Sequence, residues 1–157
     1  MRRMSAPIRF AELILGEDRI DAQHGEVVQA LNDLRAAIDL EWAPAETQRV
    51  LDVFAVTVAR HFASEADMMH ASRYPQAPAH LVEHSRLLDQ LDEVQSELAA
   101  GKIRSCGALA LFAEVWTTQH IRGADRLFAE YLKDARGGAG GDAGLGESRD
   151  ERRPLVL

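Results

Sequence analysis

The sequence predicts an all-α protein: an up-down-up-down four-helix bundle with an N-terminal arm and a disordered C-terminal tail. Apolar side chains recur at helical spacing in four long segments, and the breaks between these segments are short. No segment shows the alternation typical of a strand. A chain of 157 residues is long enough for one domain with a buried core. We therefore expect the bundle domain to span residues 1–135 and the tail to span residues 136–157.

The predicted arm covers residues 1 to 17 and leads into the first helix. Its apolar anchors are Ile8, Phe10, Leu13 and Leu15. The helix should begin near Asp18 or Asp21, because acidic residues suit a helix N-terminus. Its predicted inward face holds His24, Val27, Val28, Leu31, Leu34 and Ile38.

The other three helices are delimited by proline, glycine and serine. Pro44 can open the second helix at its first position, and Tyr74-Pro75 ends it. The third helix should stop near Gly101, and Ser105 is the expected N-cap of the fourth. The predicted inward faces hold, in order, Val50, Leu51, Phe54, Val58, His61, Glu65 and Met68; His80, His84, Leu87, Leu91, Val94 and Leu98; and Leu109, Phe112, Trp116, His120, Leu127 and Tyr131.

Composition narrows the possible partners and the location. The net charge of −7 argues against nucleic acid or an anionic membrane as a partner, since both reward a basic face. The single Cys106 excludes an intrachain disulfide and fits a reducing compartment. We read no signal peptide and no membrane span, so the expected location is the cytoplasm. Six of the eleven glycines follow Arg136, and such a glycine-rich tail is not expected to order itself.

Five histidines and two carboxylates lie on the predicted inward faces or beside them. These candidate metal ligands are His24, His61, Glu65, His80, His84, His120 and Asp125. In an alternating bundle, the starts of the first and third helices meet the ends of the second and fourth. All seven residues then converge at one level of the core. A sixth histidine, His70, does not fit the set and is expected at the surface.

The chemistry of the seven residues predicts a two-metal site. Imidazole and carboxylate without thiolate suit iron, manganese, zinc or copper. Seven ligands exceed what one such ion needs, whereas Glu65 and Asp125 can bridge two ions. One ion then has three histidines and the other has two, which leaves an open position on the second. Asp125 lies about 140° around an ideal helix from His120. It must therefore approach from the flank, or the helix must widen into a π-turn.

The motifs around these residues resemble the bacterial hemerythrin family. They are Asp21-Ala-Gln-His24, His61-Phe-Ala-Ser-Glu65, Tyr74-Pro75 followed by His80 and His84, and Trp116 followed by His120 and Asp125. The resemblance covers roughly residues 8–134. It implies a non-haem di-iron site with a bridging oxygen that binds dioxygen reversibly. One iron would be held by His80, His84 and His120, and the dioxygen-binding iron by His24 and His61.

Several functions remain open at this stage. The leading hypothesis is dioxygen binding as a carrier, store or sensor. An enzyme that acts on peroxide or nitric oxide and an iron-handling protein are the alternatives. No acid–base pair beyond the ligands demands catalysis, which favours binding. Thr117 stands where the family often has leucine; its hydroxyl either faces the ligand pocket or bonds the carbonyl one turn back.

Overall fold

Five α-helices and two shorter turns make up the described part of the chain, residues 5–139 of a computed structural model. A short 3₁₀ turn spans Phe10–Glu12 in the arm. The helices are α1 (Asp18–Asp39), α2 (Pro44–Ser72), α3 (Ala77–Ala99), α4 (Gly107–His120) and α5 (Arg126–Ala139). A π-helical turn, Ile121–Asp125, joins α4 directly to α5. These last three elements form the fourth rod of the bundle, so the predicted all-α four-helix class is confirmed.

The four rods pack in a ring. α1 contacts α2 and α4, and α3 also contacts α2 and α4. The main apolar core fills the space between them and includes Leu31, Leu51, Phe54, Leu87 and Leu91. A second cluster around Met69 and Phe128 lies near the turn between α2 and α3.

The helix boundaries follow local sequence signals. α1 begins at Asp18 with two acidic residues in its first turn, and Pro44 lies in the first turn of α2. α2 ends where Arg73 adopts a left-handed conformation with φ of 54°, and Tyr74 N–H then donates to the carbonyl of Met69 at 3.0 Å. The next residue is Pro75, which has no N–H with which to continue the helix.

The start of α4 differs slightly from the prediction. Cys106 is the residue that flanks the helix, and it makes no side-chain cap. Ser105 lies one position earlier, where its Oγ accepts a hydrogen bond from Gly107 N–H at 3.2 Å. Its hydroxyl therefore satisfies one free N–H of the first turn without being the N-cap itself.

Two residues predicted to face inward on the fourth rod are exposed instead. Phe112 is 43% exposed and Leu127 is 48% exposed. Ala113 and Phe128 are buried in their places. The π-turn explains why Leu127 is exposed. A turn that takes up one extra residue shifts every inward-facing position after it by one residue along the chain. In α4 the small side chains of Ala110 and Ala113 line the core, which leaves the bulkier Phe112 outside.

The N-terminal arm is held against α1 and α5 by specific contacts. Leu13 is buried and packs with Val28 and Ile121. The carboxylate of Asp21 accepts hydrogen bonds from the N–H groups of Leu15 and Gly16, both at 2.8 Å. Gly16 has a φ of +81°, which favours glycine. The arm thus contributes buried apolar surface next to the π-turn.

The last helix extends further than predicted. α5 continues through Ala139, so residues 136–139 belong to the bundle and not to the predicted tail. Arg136 forms an ion pair with Glu17, the residue directly before α1, and Lys133 donates a hydrogen bond to the carbonyl of Leu15. These contacts favour a helical end despite Gly137 and Gly138. The rest of the predicted tail, residues 140–157, lies outside the described residues.

Two predictions about the chain as a whole concern Cys106 and membrane spans. Cys106 is a free, buried thiol. Within residues 5–139, no helix combines the length and the apolar character needed to cross a membrane.

Candidate metal centre

Seven predicted ligands come together at one end of the bundle. α1 contributes one of them, α2 and α3 contribute two each, and the fourth rod contributes two. None of the seven is more than 5% exposed. They are His24, His61, Glu65, His80, His84, His120 and Asp125. The structure therefore brings together every residue in the predicted set, and His70 lies apart from it on the surface.

The seven side chains form two overlapping groups. One group contains His80, His84 and His120, and the other contains His24 and His61. Both groups include Glu65 and Asp125. Within each group the potential ligand atoms lie within 4.8 Å of one another. Carboxylates that belong to two groups at once are the arrangement expected of bridging ligands.

In the three-histidine group, nitrogen atoms converge on one point. His120 Nε2 lies 3.0 Å from the Nε2 atoms of both His80 and His84. Asp125 Oδ1 lies 2.9 Å from His120 Nε2 and 3.0 Å from His80 Nε2. Glu65 Oε2 completes the group at 3.3 Å from His84 Nε2 and 3.6 Å from His80 Nε2.

The two-histidine group contacts the same Glu65 oxygen as the three-histidine group but the other oxygen of Asp125. His24 Nε2 lies 2.9 Å from Asp125 Oδ2, and His61 Nε2 lies 3.7 Å from Glu65 Oε2. Asp125 thus directs Oδ1 towards one group and Oδ2 towards the other. Each oxygen of this carboxylate is placed to serve a different ion.

The π-turn is what brings Asp125 into this position. A π-turn closes its hydrogen bonds over five residues instead of four. The fifth residue after His120 therefore lies near the angle that a fourth residue would occupy in an α-helix. Of the two alternatives, an approach from the flank or a local widening of the helix, the structure has the widening, over Ile121–Asp125.

Two polar side chains behind the ligands determine which ring nitrogen faces the centre. His61 Nδ1–H donates to Gln23 Oε1 at 3.1 Å, and Gln23 in turn donates to Ser64 Oγ at 3.0 Å. His120 Nδ1–H donates to Glu83 Oε2 at 2.7 Å. With its proton on Nδ1, each imidazole presents an Nε2 lone pair to the centre.

The polar atoms inside the cluster are suited to binding a cation. Both oxygens of Glu65, both oxygens of Asp125 and both ring nitrogens of His24 are buried without a hydrogen bond among residues 5–139. The close approach of His24 Nε2 to Asp125 lacks hydrogen-bonding geometry, so it leaves both atoms unsatisfied. Buried polar atoms of this kind are costly unless a cation or a hydrogen bond satisfies them. Imidazole nitrogens and carboxylate oxygens are the donor set for a first-row transition metal.

Burial and mutual charge shift the titration of the metal-free cluster. Burial lowers the pKa of His61 to about 4, although Glu65 opposes this shift. Burial also acts to lower the pKa of His80, but its contacts with Asp125 and Glu65 outweigh burial and raise that pKa to about 9. Burial acts to raise the pKa of Asp125, yet the surrounding imidazoles hold it well below its usual range. Burial also acts to raise the pKa of Glu65, but its contacts with His80 and His84 lower it, so both carboxylates are ionised at neutral pH, as metal binding requires.

The sequence comparisons agree with this geometry. The sequence model described as the hemerythrin HHE cation binding domain matches residues 15–132. The chain belongs to the hemerythrin family.

Individual relatives and solved structures support the same assignment. The chain is 30% identical to the bacteriohemerythrin of Stenotrophomonas maltophilia over 122 residues. This alignment covers 78% of each chain. It is 27% identical to the bacteriohemerythrin of Methylococcus capsulatus over 112 residues, and this alignment covers 71% of this chain and 85% of the relative. A crystal structure of wild-type hemerythrin superposes with a TM-score of 0.70 at 26% identity, over 73% of this chain and 88% of that chain. A hemerythrin point variant gives a TM-score of 0.75 at 25% identity, over 83% and 98%.

A small cavity adjoins the two-histidine group of this hemerythrin domain. Its volume is about 10 Å³, enough for one water-sized molecule. Its walls are formed by His24, Val27, Val58, His61, Phe62, Leu87, Trp116, Thr117, His120, Ile121 and Asp125. His80 and His84 do not line it. The cavity therefore reaches the centre from the side of His24 and His61.

Only some residues of the predicted inward faces line the cavity. Val27, Val58 and Trp116 do so, but Val28 packs under the arm and Phe54 lies in the main core. The sequence analysis missed Phe62, Leu87 and Ile121 as parts of the wall. It also missed Gln23 and Glu83 as partners of the ligands, although each directly precedes a ligand histidine in the sequence.

Aromatic rings brace two ligands of the three-histidine group. Phe62 stacks on His84 with ring centroids 3.7 Å apart, and Trp116 stacks on His120 at 4.3 Å. Such contacts restrict the rotation of the imidazoles. The centre is thus held by packing as well as by hydrogen bonds.

Proposed function

We propose that this protein binds dioxygen reversibly at a non-haem di-iron centre held by the seven clustered residues. One observation carries the proposal: two ligand groups share Glu65 and Asp125, and a small cavity is lined by both histidines of the smaller group but only by His120 of the larger one. The three-histidine ion would be the coordinatively filled one. The ion held by His24 and His61 would have a position free towards the cavity.

Two reduced iron ions held by the seven residues would supply the electrons for reversible binding of dioxygen. The chain's own residues make this possible in three ways. Gln23 and Glu83 fix the orientation of His61 and His120. Glu65 and Asp125, which belong to both groups, would help to hold both ions. Apolar side chains of the cavity wall keep water away from the bound ligand, which protects it from release in a reduced form.

The family membership supports iron and oxygen as metal and ligand. The relatives from Stenotrophomonas maltophilia and Methylococcus capsulatus are both named bacteriohemerythrin. A role as oxygen carrier, store or sensor is compatible with this site. The same site would also suit an enzyme that acts on peroxide or nitric oxide, or a protein that handles iron.

The test is anaerobic reduction of the iron-loaded protein followed by rapid mixing with dioxygen, peroxide or nitric oxide. Reversible binding predicts a visible charge-transfer band that appears with dioxygen and disappears when dioxygen is removed. Metal analysis should give about two iron ions per chain and no haem. Failure to recover the original spectrum, with steady consumption of peroxide or nitric oxide, would favour the enzyme instead. Loss of iron on reduction would favour iron handling.

A further inference from the structure

Thr117 lines the cavity, and no residue within 5–139 forms a hydrogen bond with its hydroxyl. The side chain is 3% exposed, and Oγ1 is buried without a hydrogen-bond partner in that range. A buried hydroxyl without a partner costs free energy. The group is therefore placed for something that enters the cavity.

The neighbouring Thr118 shows the alternative that Thr117 does not use. Thr118 Oγ1 donates to the carbonyl of Glu114, one turn back, at 2.8 Å. This internal bond is the usual fate of a threonine hydroxyl within a helix. Thr117 makes no such bond to the carbonyl one turn back, and it lines the cavity.

Because the rest of the cavity wall is mainly apolar, the single hydroxyl of Thr117 can discriminate between ligands. Apart from the metal ligands, the cavity wall is mainly apolar, with Val27, Val58, Leu87 and Ile121 among its members. A ligand that accepts a hydrogen bond gains a partner there, whereas a ligand that accepts poorly leaves the hydroxyl unsatisfied. Sites with a buried polar group discriminate more strongly than apolar pockets for this reason.

We propose that Thr117 is a specificity-determining residue: its hydroxyl donates a hydrogen bond to a small anion bound in the cavity, and so favours anionic ligands over neutral diatomic ones. The proposal rests on the proposed function, because it needs a metal ion held by His24 and His61. An ionised acceptor makes a shorter and stronger hydrogen bond than a neutral one. The preference therefore follows from charge and not from ligand size.

The main experiment uses azide as the anionic probe on the oxidised, iron-loaded protein. Thr117→Val, which keeps the shape of the side chain, should raise the azide dissociation constant about ten-fold. Thr117→Ser, which keeps the hydroxyl, should stay within about two-fold of the wild type. Thr118→Val is the matched control, since its hydroxyl already bonds within the helix. Nitric oxide is the neutral probe on the reduced protein, and its affinity should be nearly equal in all four proteins.

A second measurement needs no metal. In the metal-free protein, Thr117→Val removes an unsatisfied hydroxyl without changing the volume of the side chain. Its melting temperature should equal or exceed that of the wild type. A clear fall would show that the hydroxyl already has a partner, and would overturn the proposal.

The outcomes separate the two proposals. Equal azide constants for the wild type and Thr117→Val, at about two iron ions per chain, would overturn the role of Thr117 alone. Equal weakening of azide and nitric oxide by Thr117→Val would mean that the hydroxyl does not distinguish an anion from a neutral ligand, which also overturns it. A wild-type protein that takes up no iron would overturn the proposed function, and this inference with it.

Discussion

At the scale of single residues, two carboxylates connect the halves of the centre. Glu65 and Asp125 are fully buried, and all four of their oxygens lack a hydrogen bond within the described range. Each belongs to both histidine groups. Removing either one should therefore affect both ions, unlike the removal of one histidine.

Glu65→Ala should bind far less iron than the wild type, because both ions lose a ligand. A metal that binds only the folded chain also stabilises it, so the melting temperature should fall in iron-replete protein. His70→Ala is the control, since His70 lies on the same helix but is exposed. Metal analysis and thermal melting provide the measurement. Equal iron content in the two variants would contradict the assignment of Glu65.

Glu83→Gln tests the residue behind His120. The variant keeps an acceptor for His120 Nδ1–H but loses the negative charge that strengthens the hydrogen bond. Changes to such partners typically cost 10- to 100-fold in metal affinity, and the lower end, about ten-fold, is expected because Glu83 is half-exposed. Competition with an iron chelator measures the effect. Glu93→Gln, at an exposed position of α3, should match the wild type.

The sequence was sufficient for the seven candidate ligands but not for their neighbours. Paired ligands such as His61 and Glu65 lie four residues apart, a spacing that places them on one face whatever the packing. Gln23 and Glu83 carry no such signal. Whether a polar residue beside a ligand points to solvent or to an imidazole depends on the rotation of each helix against its neighbours, which spacing alone does not determine.

At the scale of elements, the π-turn sets the register of the fourth rod. It takes up one residue more than an α-turn, so Asp125 faces the centre and Phe128 faces the core. The sequence predicted either this turn or an approach of Asp125 from the flank, because Asp125 lies five residues after His120. Its consequence for Leu127 was missed, since an ideal helical pattern was continued through the turn.

Deleting Gly123 should convert the π-turn into an α-turn with little loss. Asp125 would then follow His120 by four residues and face the same way, and the register of α5 would be preserved. Folding and iron content should stay close to those of the wild type. Deleting Leu127 is the matched control, because it removes an exposed residue after the turn and rotates Phe128 by about 100°.

Circular dichroism melting and metal analysis compare the two deletions. The Leu127 deletion should melt at a clearly lower temperature, since Phe128 is fully buried in the wild type. Similar damage from both deletions would show that the extra residue of the π-turn is itself required.

At the scale of the whole molecule, the centre ties all four rods together. Its ligands come from α1, α2, α3 and the fourth rod, so bound metal cross-links the bundle at one end. The main apolar core lies beside it and depends on no ligand. We therefore expect the metal-free chain to fold with reduced stability, because its buried ionisable cluster has lost its cation.

The pH dependence of stability should distinguish the metal-free and the iron-loaded protein. In the metal-free protein the pKa of His80 is raised from 6.5 to about 9. The folded chain then holds a proton that the unfolded chain releases, so this stabilisation is present below pH 6.5 and is lost as the pH rises to about 9. The pKa of His61 is lowered from 6.5 to about 4, so its effect is a loss of stability as the pH falls across that interval.

The metal-free protein should therefore melt at its highest temperature near pH 6.5 and at lower temperatures on both sides. The iron-loaded protein behaves differently above that pH, because a histidine that ligates a metal is already neutral and releases no proton between pH 6.5 and 9. Its melting temperature should stay level between pH 6.5 and 9 and fall only in acid, where protons compete with iron for the imidazoles. Melting curves of both forms across this range provide the measurement. If the melting temperature of the metal-free protein did not fall between pH 6.5 and 9, His80 would not hold its proton between the two carboxylates.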